Sequence, residues 1–160
     1  MADNSNYKAP ITIRDAAILP GAWRNFSGRG DQFNREGTRV FNIGLPEDVA
    51  LAVKAEGLNV KAKETDEGEV RYHLKVEASW KIKAPQIYLI SGNSRTLLSE
   101  ELVGILDDAE IVKADIVIDP SFYDINGRTG YKAYLKKAFI TIEQDDLDRE
   151  YQDIPISQGN

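Results

Sequence analysis

Residues 23–41 set four arginines, Arg24, Arg29, Arg35 and Arg39, among four rings, Trp23, Phe26, Phe33 and Phe41. Two acids, Asp31 and Glu36, leave the stretch at +2 in a chain of net charge −6, so the rest of the chain carries −8. Gly28, Gly30 and Gly37 interrupt any regular helix or strand there. Rings beside guanidinium groups on an irregular segment suit single-stranded nucleic acid. Each ring can stack on an exposed base for about 1–3 kcal/mol, and each arginine can neutralise a phosphate. A long loop pinned to the core by its aromatics, with its arginines in water, would have the same composition. This stretch alone leaves both readings open.

A second basic-aromatic run, Arg128 to Lys137, adds Tyr131, Lys132, Tyr134 and Lys136 without a single acid. In strand geometry Lys132, Tyr134 and Lys136 share one face. A strand facing nucleic acid would look like this, and so would an edge strand guarded by lysines. The first cluster tips the balance toward nucleic acid. A third row, Arg71, His73 and Lys75, followed by Lys81 and Lys83, is expected to be an ordinary solvent face. The candidate DNA-binding residues are therefore Trp23, Arg24, Phe26, Arg29, Phe33, Arg35, Arg39, Arg128, Tyr131, Lys132, Tyr134 and Lys136.

Other chemistries find little support. His73 is the only histidine and lies mid-strand, there is no cysteine, and no serine sits on a glycine-flanked elbow. Asp107, Asp108, Glu110, Asp115, Asp119 and Asp124 could hold Mg²⁺ for a nuclease. They fall in turns and at strand ends, where aspartate serves local hydrogen bonding, and no Ca²⁺-loop spacing fits. No catalytic residue, metal or cofactor is expected. Arg29-Gly30-Asp31 matches the adhesion tripeptide, but three residues recur by chance. The absence of cysteine excludes a disulfide framework and fits a reducing cytosol. The polar first eight residues do not read as a signal peptide, and no 18-residue apolar run could span a membrane. A charge of −6 means that any nucleic-acid site must be a local basic patch on an acidic body.

The elements that must carry these residues are mostly strands. With 160 residues, 42% of them apolar, one domain with its own core is expected. Met1 to Pro10 reads as disordered, residues 11–144 as the folded domain, and 145–160 as an acidic tail. Ile11–Ile18 and Arg39–Leu45 read as strands. Pro46 opens a short helix over Glu47–Glu56, closed by Gly57. Leu58–Lys63 is a short strand. Val70–Trp80 alternates over its whole length, with Val70, Tyr72, Leu74, Val76, Ala78 and Trp80 on one face. Gln86–Ile90 is another strand, and Ser99 is placed to cap a second short helix over Glu100–Leu106. Glu110–Ile118 is a strand that Pro120 should end. Asn126-Gly127 signals a hairpin into a strand from Tyr131 to about Glu143, with a bulge near Lys136-Lys137. The fold class is mainly β: a small antiparallel barrel of the OB type with two short helices, or a sandwich.

Several motifs resemble a family of small bacteriophage proteins. They are Ile-Arg-Asp-Ala, Trp-Arg-Asn-Phe-Ser-Gly, Phe-Asn-Arg-Glu-Gly and Arg-Val-Phe, then Asn-Gly-Arg-Thr-Gly and the acidic end. The resemblance covers roughly residues 11 to 151. It implies single-stranded DNA binding on an OB-type fold, in phage replication or recombination, within the host cytoplasm. Asp153-Ile154-Pro155-Ile156 is similar to the acidic tip of bacterial single-strand binding proteins, with Ile156 in place of their phenylalanine and four residues beyond. The tail could recruit replication or recombination proteins, or shield a basic cleft. A homo-oligomer is compatible with the sequence. The competing functions are a metal-dependent nuclease built on the Asp107–Asp124 acids, and a phage structural β protein using the 23–41 loop for subunit contacts.

Overall fold

The computed structural model describes residues 6–143 except residue 33. The acidic tail over 145–160 and the candidate Phe33 lie outside the described residues.

Ten strands form one sheet: β1 (Ile11–Ile13), β2 (Ala17–Ile18), β3 (Arg24–Asn25), β4 (Arg39–Leu45), β5 (Lys61–Glu64), β6 (Val70–Ala78), β7 (Gln86–Ser91), β8 (Ser94–Leu98), β9 (Ile111–Ile125) and β10 (Arg128–Ile142). The main path runs β1-β9-β10-β6-β4-β2, with β3 on β4, β5 on β6, and the β7–β8 hairpin on β10. The two ends of this path, β1 and β2, are neighbours in the chain. Asp15 at φ 53 turns between them, and the Ala16 N–H donates to the Ala114 carbonyl of β9 at 2.7 Å. The sheet therefore wraps round on itself without closing into one continuous ladder. This is an OB-like architecture, and the expected mainly β class holds.

Alternation explains the walls of this fold. In β6, Leu74, Val76 and Ala78 point inward and are buried, while Arg71, His73, Lys75 and Glu77 point outward. Phe41, Ile43 and Leu45 of β4 face the same core, with Ile116 and Ile118 of β9 and Leu135, Ala138 and Ile140 of β10. The expected bulge is present: the β10–β9 register shifts between Leu135 and Lys137, which keeps Ala138 and Ile140 inside after Ala133 and Leu135.

Glu47–Ala55 is α1, with Glu47 and Asp48 in its first turn and Ala50 and Val53 buried. The second expected helix is only a 3-10 turn, Val103–Asp107, and the Ser99 side chain makes no capping bond there; the Ser99 carbonyl accepts from Leu102 and Val103 N–H instead. Pro120 does not end its strand. β1 pairs with β9 only as far as Ile118, so Pro120 sits where that flank of β9 has no ladder to interrupt. β9 and β10 thus run on to the Asn126-Gly127 turn, both residues at positive φ (53 and 83), as one long hairpin. Its far half, residues 121–129, is exposed. The first described residues are fastened at two points: the Asn6 carbonyl accepts from the Tyr131 hydroxyl at 2.9 Å, and Lys8 pairs with Glu56 at 3.3 Å.

Candidate nucleic-acid interface

The outer face of β6 is the floor of a groove of about 640 Å³. His73, Lys75 and Glu77 project into it from β6. Register brings Lys61 of β5 beside His73, Asn42 of β4 beside Lys75, and Tyr134 of β10 beside Glu77. Tyr123, Ile125, Tyr131 and Lys132 of the long hairpin form one wall, and Trp23 stands on the opposite side, beyond β4. Gly130 makes that wall possible: a Cβ there would come within 2.6 Å of the Tyr123 hydroxyl, so only glycine lets the Tyr123 ring lie across the neighbouring backbone.

Trp23 ends a 3-10 turn, Gly21–Trp23, and its carbonyl accepts from the Asn42 side chain at 3.0 Å. The residue is 38% exposed. Its ring meets the His73 ring edge-on at 5.0 Å between centroids, and the Lys63 ammonium lies 5.6 Å from its centre. Partial burial, and then the charges of Lys61 and Lys63, push the His73 pKa below the ordinary histidine value. The imidazole is therefore neutral at pH 7, a flat ring in a cationic setting. Lys132 lies 2.7 Å from Glu77 and 5.1 Å from the centre of the Tyr134 ring. Burial works against its charge, but the hydrogen bond and charge of Glu77, helped by Tyr134, outweigh it and raise its pKa. Glu77 is the one acid among the residues lining the groove, against Lys61, Lys75 and Lys132.

Of the candidates read from the sequence, this groove unites Trp23, Tyr131, Lys132 and Tyr134. Two others need correction. Arg24 is only 6% exposed. Its guanidinium donates to the carbonyls of Leu19, Leu106, Ala109 and Ile18, tying the second 3-10 turn to the β2–β3 segment. Phe26 is wholly buried and stacks on Phe41, ring centres 4.7 Å apart, so no base can reach it. The loop aromatic that reads as a pin is thus Phe26, while Trp23 faces outward.

The remaining arginines do not line the groove. Arg29 is exposed and lies 3.8 Å from Asp107. Arg39 pairs with Glu100 at 3.0 Å and lies 5.8 Å from the centre of the Trp80 ring. Arg35 and Arg128 are exposed. Lys136 is the bulged residue and borders a separate depression with Lys83 and Asp119. Sequence reasoning did not single out Lys61, Lys63 or Tyr123, and it weighed His73 and Lys75 as part of a third basic row but favoured an ordinary solvent face for them. The strict alternation of β6 was the available signal for His73 and Lys75. What made their face a groove was the flanking of β6 by β5, β4 and the hairpin, which no local pattern displays.

A small wrapped β-sheet with an open, lysine-lined groove and several accessible rings has the features of single-stranded nucleic-acid-binding proteins. The chain belongs to the family described as "Putative phage ssDNA-binding domain", whose model matches residues 4–160. Single-stranded DNA binding is the function of that family. Among solved structures, the chain is similar to the single-stranded DNA-binding protein from bacteriophage Enc34, at 13% identity and a TM-score of 0.55, over 94% of this chain and 86% of that one. It is also similar to the same phage protein in complex with ssDNA, at 15% identity and a TM-score of 0.52, over 86% and 87% of the two chains. At such identities these likenesses speak for the fold. No curated protein sequence matches the chain.

Proposed function

We propose that the chain binds single-stranded DNA with little sequence preference by laying it along the β6 groove. Trp23, Tyr131 and Tyr134 offer faces or edges to bases, and Lys61, Lys63, Lys75 and Lys132 neutralise phosphates. The observation that carries this reading is the convergence of rings and lysines from β5, β6, the Trp23 turn and the long hairpin on one open groove, with Asn42 of β4 beside them. Sequence tolerance follows because every base has a π-face. The setting is phage DNA replication, recombination or repair in the host cytoplasm. Among the described residues, no helix is long and apolar enough to cross a membrane.

The protein acts by binding rather than by catalysis. Four of the six acids on which a nuclease would draw have structural partners instead. Asp107 accepts the Phe26 and Ser27 N–H groups, Asp115 accepts the Asp15 N–H, Asp119 pairs with Lys83, and Asp124 accepts the Gly127 N–H in its turn.

The test is fluorescence anisotropy with a labelled oligothymidylate. Each lysine that contacts a phosphate contributes a slope of about −0.7 in log K against log salt. Lys61→Gln and Lys75→Gln should each flatten the slope by about that amount, and Arg35→Gln should not. No flattening at Lys61 and Lys75, or flattening at Arg35 alone, would move the interface off the groove.

A further inference from the structure

Beyond the groove, the outer face of the sheet carries a second arrangement of rings and cations. Tyr88 of β7 and Phe139 of β10 are cross-strand neighbours in the parallel pair, and their rings stack 5.1 Å apart at an interplanar angle of 11°. The Arg95 guanidinium of β8 lies 4.5 Å from the Tyr88 ring centre and 5.6 Å from that of Phe139. Both rings are half-buried and Arg95 is exposed. The core does not call for these groups. Their neighbours Ile87, Ala138 and Ile140 fill the inner face, while Tyr88 and Phe139 stand on the outer one.

β10 connects this platform to the groove. Before the bulge its outward residues are Lys132 and Tyr134; after it they are Lys137 and Phe139, because the extra residue Lys136 reverses the phase. Without the bulge, Phe139 would point into the core and Ala138 outward. Tyr134 and Phe139 are four β9 positions apart in register, Asp119 to Asp115, or about 13 Å along the strand at roughly 3.3 Å per residue. That distance takes more than one nucleotide to cross, and Lys136 and Lys137 stand between the two rings. Phosphates passing from the groove toward the platform would therefore run over two cations. The residue opposite Phe139 on β9 is an acid, Asp115, which Lys113 approaches to 3.8 Å and to which the Asp15 N–H donates.

We propose that Tyr88, Phe139 and Arg95 form a second base-stacking subsite for the same DNA strand, reached from the groove across Lys136 and Lys137. It rests on the reading of the groove as the first subsite. A base packs against the ring pair in place of the Arg95 guanidinium, which swings out onto a phosphate. Strands too short to span both places occupy the groove alone.

The test compares the full chain with Phe139→Leu, which keeps apolar bulk but removes the ring, and with Arg95→Gln, an exposed change that spares the core. Each binds oligothymidylates of about 4 and about 12 nucleotides, lengths within the usual range of such folds. For the longer strand, Phe139→Leu should weaken binding about 5- to 150-fold, the loss of one stacked base. Arg95→Gln should flatten the salt slope for the longer strand by about 0.7. For the shorter strand both variants should match the parent. Unchanged binding of the longer strand by both variants would overturn the subsite. An equal loss on both lengths would overturn it too, by making the platform a mere support of the sheet. A parent protein that binds neither length would instead refute the groove on which the proposal rests.

Discussion

Trp23 and Phe26 lie three residues apart in the same basic stretch, yet their alanine variants should fail in opposite ways. Phe26 is wholly buried and stacked on Phe41, directly after the short β3 strand that pairs with β4. Phe26→Ala removes a full core ring, which costs about 3–5 kcal/mol of folding free energy. A domain of this size loses roughly 2–4 °C of Tm per kcal/mol, so melting should fall by about 6–20 °C. Trp23 sits outside the core, 38% exposed, with its ring against His73 and under the Lys63 ammonium. Trp23→Ala should leave Tm within a few degrees and weaken single-stranded DNA binding about 5- to 150-fold, the worth of one base stack. Trp23→Phe should recover part of that loss. The assays are thermal melting by circular dichroism and oligothymidylate anisotropy, performed below the melting point of the weaker variant. The folded fraction of Phe26→Ala should bind with near-parent affinity. A Phe26→Ala protein that melts normally but binds poorly would refute the division between the two rings. So would a Trp23→Ala protein that binds normally but melts early.

Other consequences follow from the same geometry. Arg24→Met should destabilise the fold by several kcal/mol, since four backbone carbonyls lose a charged donor (about 1–3 kcal/mol for each buried group left unpaired), without altering the salt slope of the remaining folded protein; urea melts and salt titrations separate the two effects. Glu77→Gln should tighten DNA binding, most at low salt, because it removes the groove's acid and frees Lys132; unchanged affinity would show that the Lys132–Glu77 pair lies off the DNA path. His73 has its pKa lowered by burial and by Lys61 and Lys63, so the unfolded chain takes up its proton first as pH falls through about 6.5, and this contribution to stability is present above that pH and lost below it. Phosphates beside Lys61 and Lys63 should reverse part of the depression. DNA binding should then tighten between about pH 7.5 and pH 5.5, and His73→Gln should flatten that dependence.

Much of this was legible in the chain. The period-two pattern of Val70–Ala78, the Asn126-Gly127 turn and the phase change at Lys136 are local signals, and the structure uses each as its pattern suggests. β8 was not legible, because Ser94, Arg95 and Thr96 show no apolar alternation; its pairing with β7 supplies the order. The assignment inside residues 23–41 failed for Arg24 and Phe26 for a related reason. An irregular segment has no period, so nothing local tells an inward ring from an outward one. Only Asp107, reaching from the second 3-10 turn to the Phe26 and Ser27 N–H groups, fixes that choice, and it lies some eighty positions away. The third basic row was read as plain solvent face because a groove is a property of neighbouring strands.

The most direct test of the groove is a salt titration of the unmodified protein with a single strand and its duplex of equal length. Lys61, Lys63, Lys75 and Lys132 together predict a slope near −3, at about −0.7 per phosphate contact, with the single strand bound well above the duplex. A slope near zero, or equal affinity for the duplex, would contradict the account.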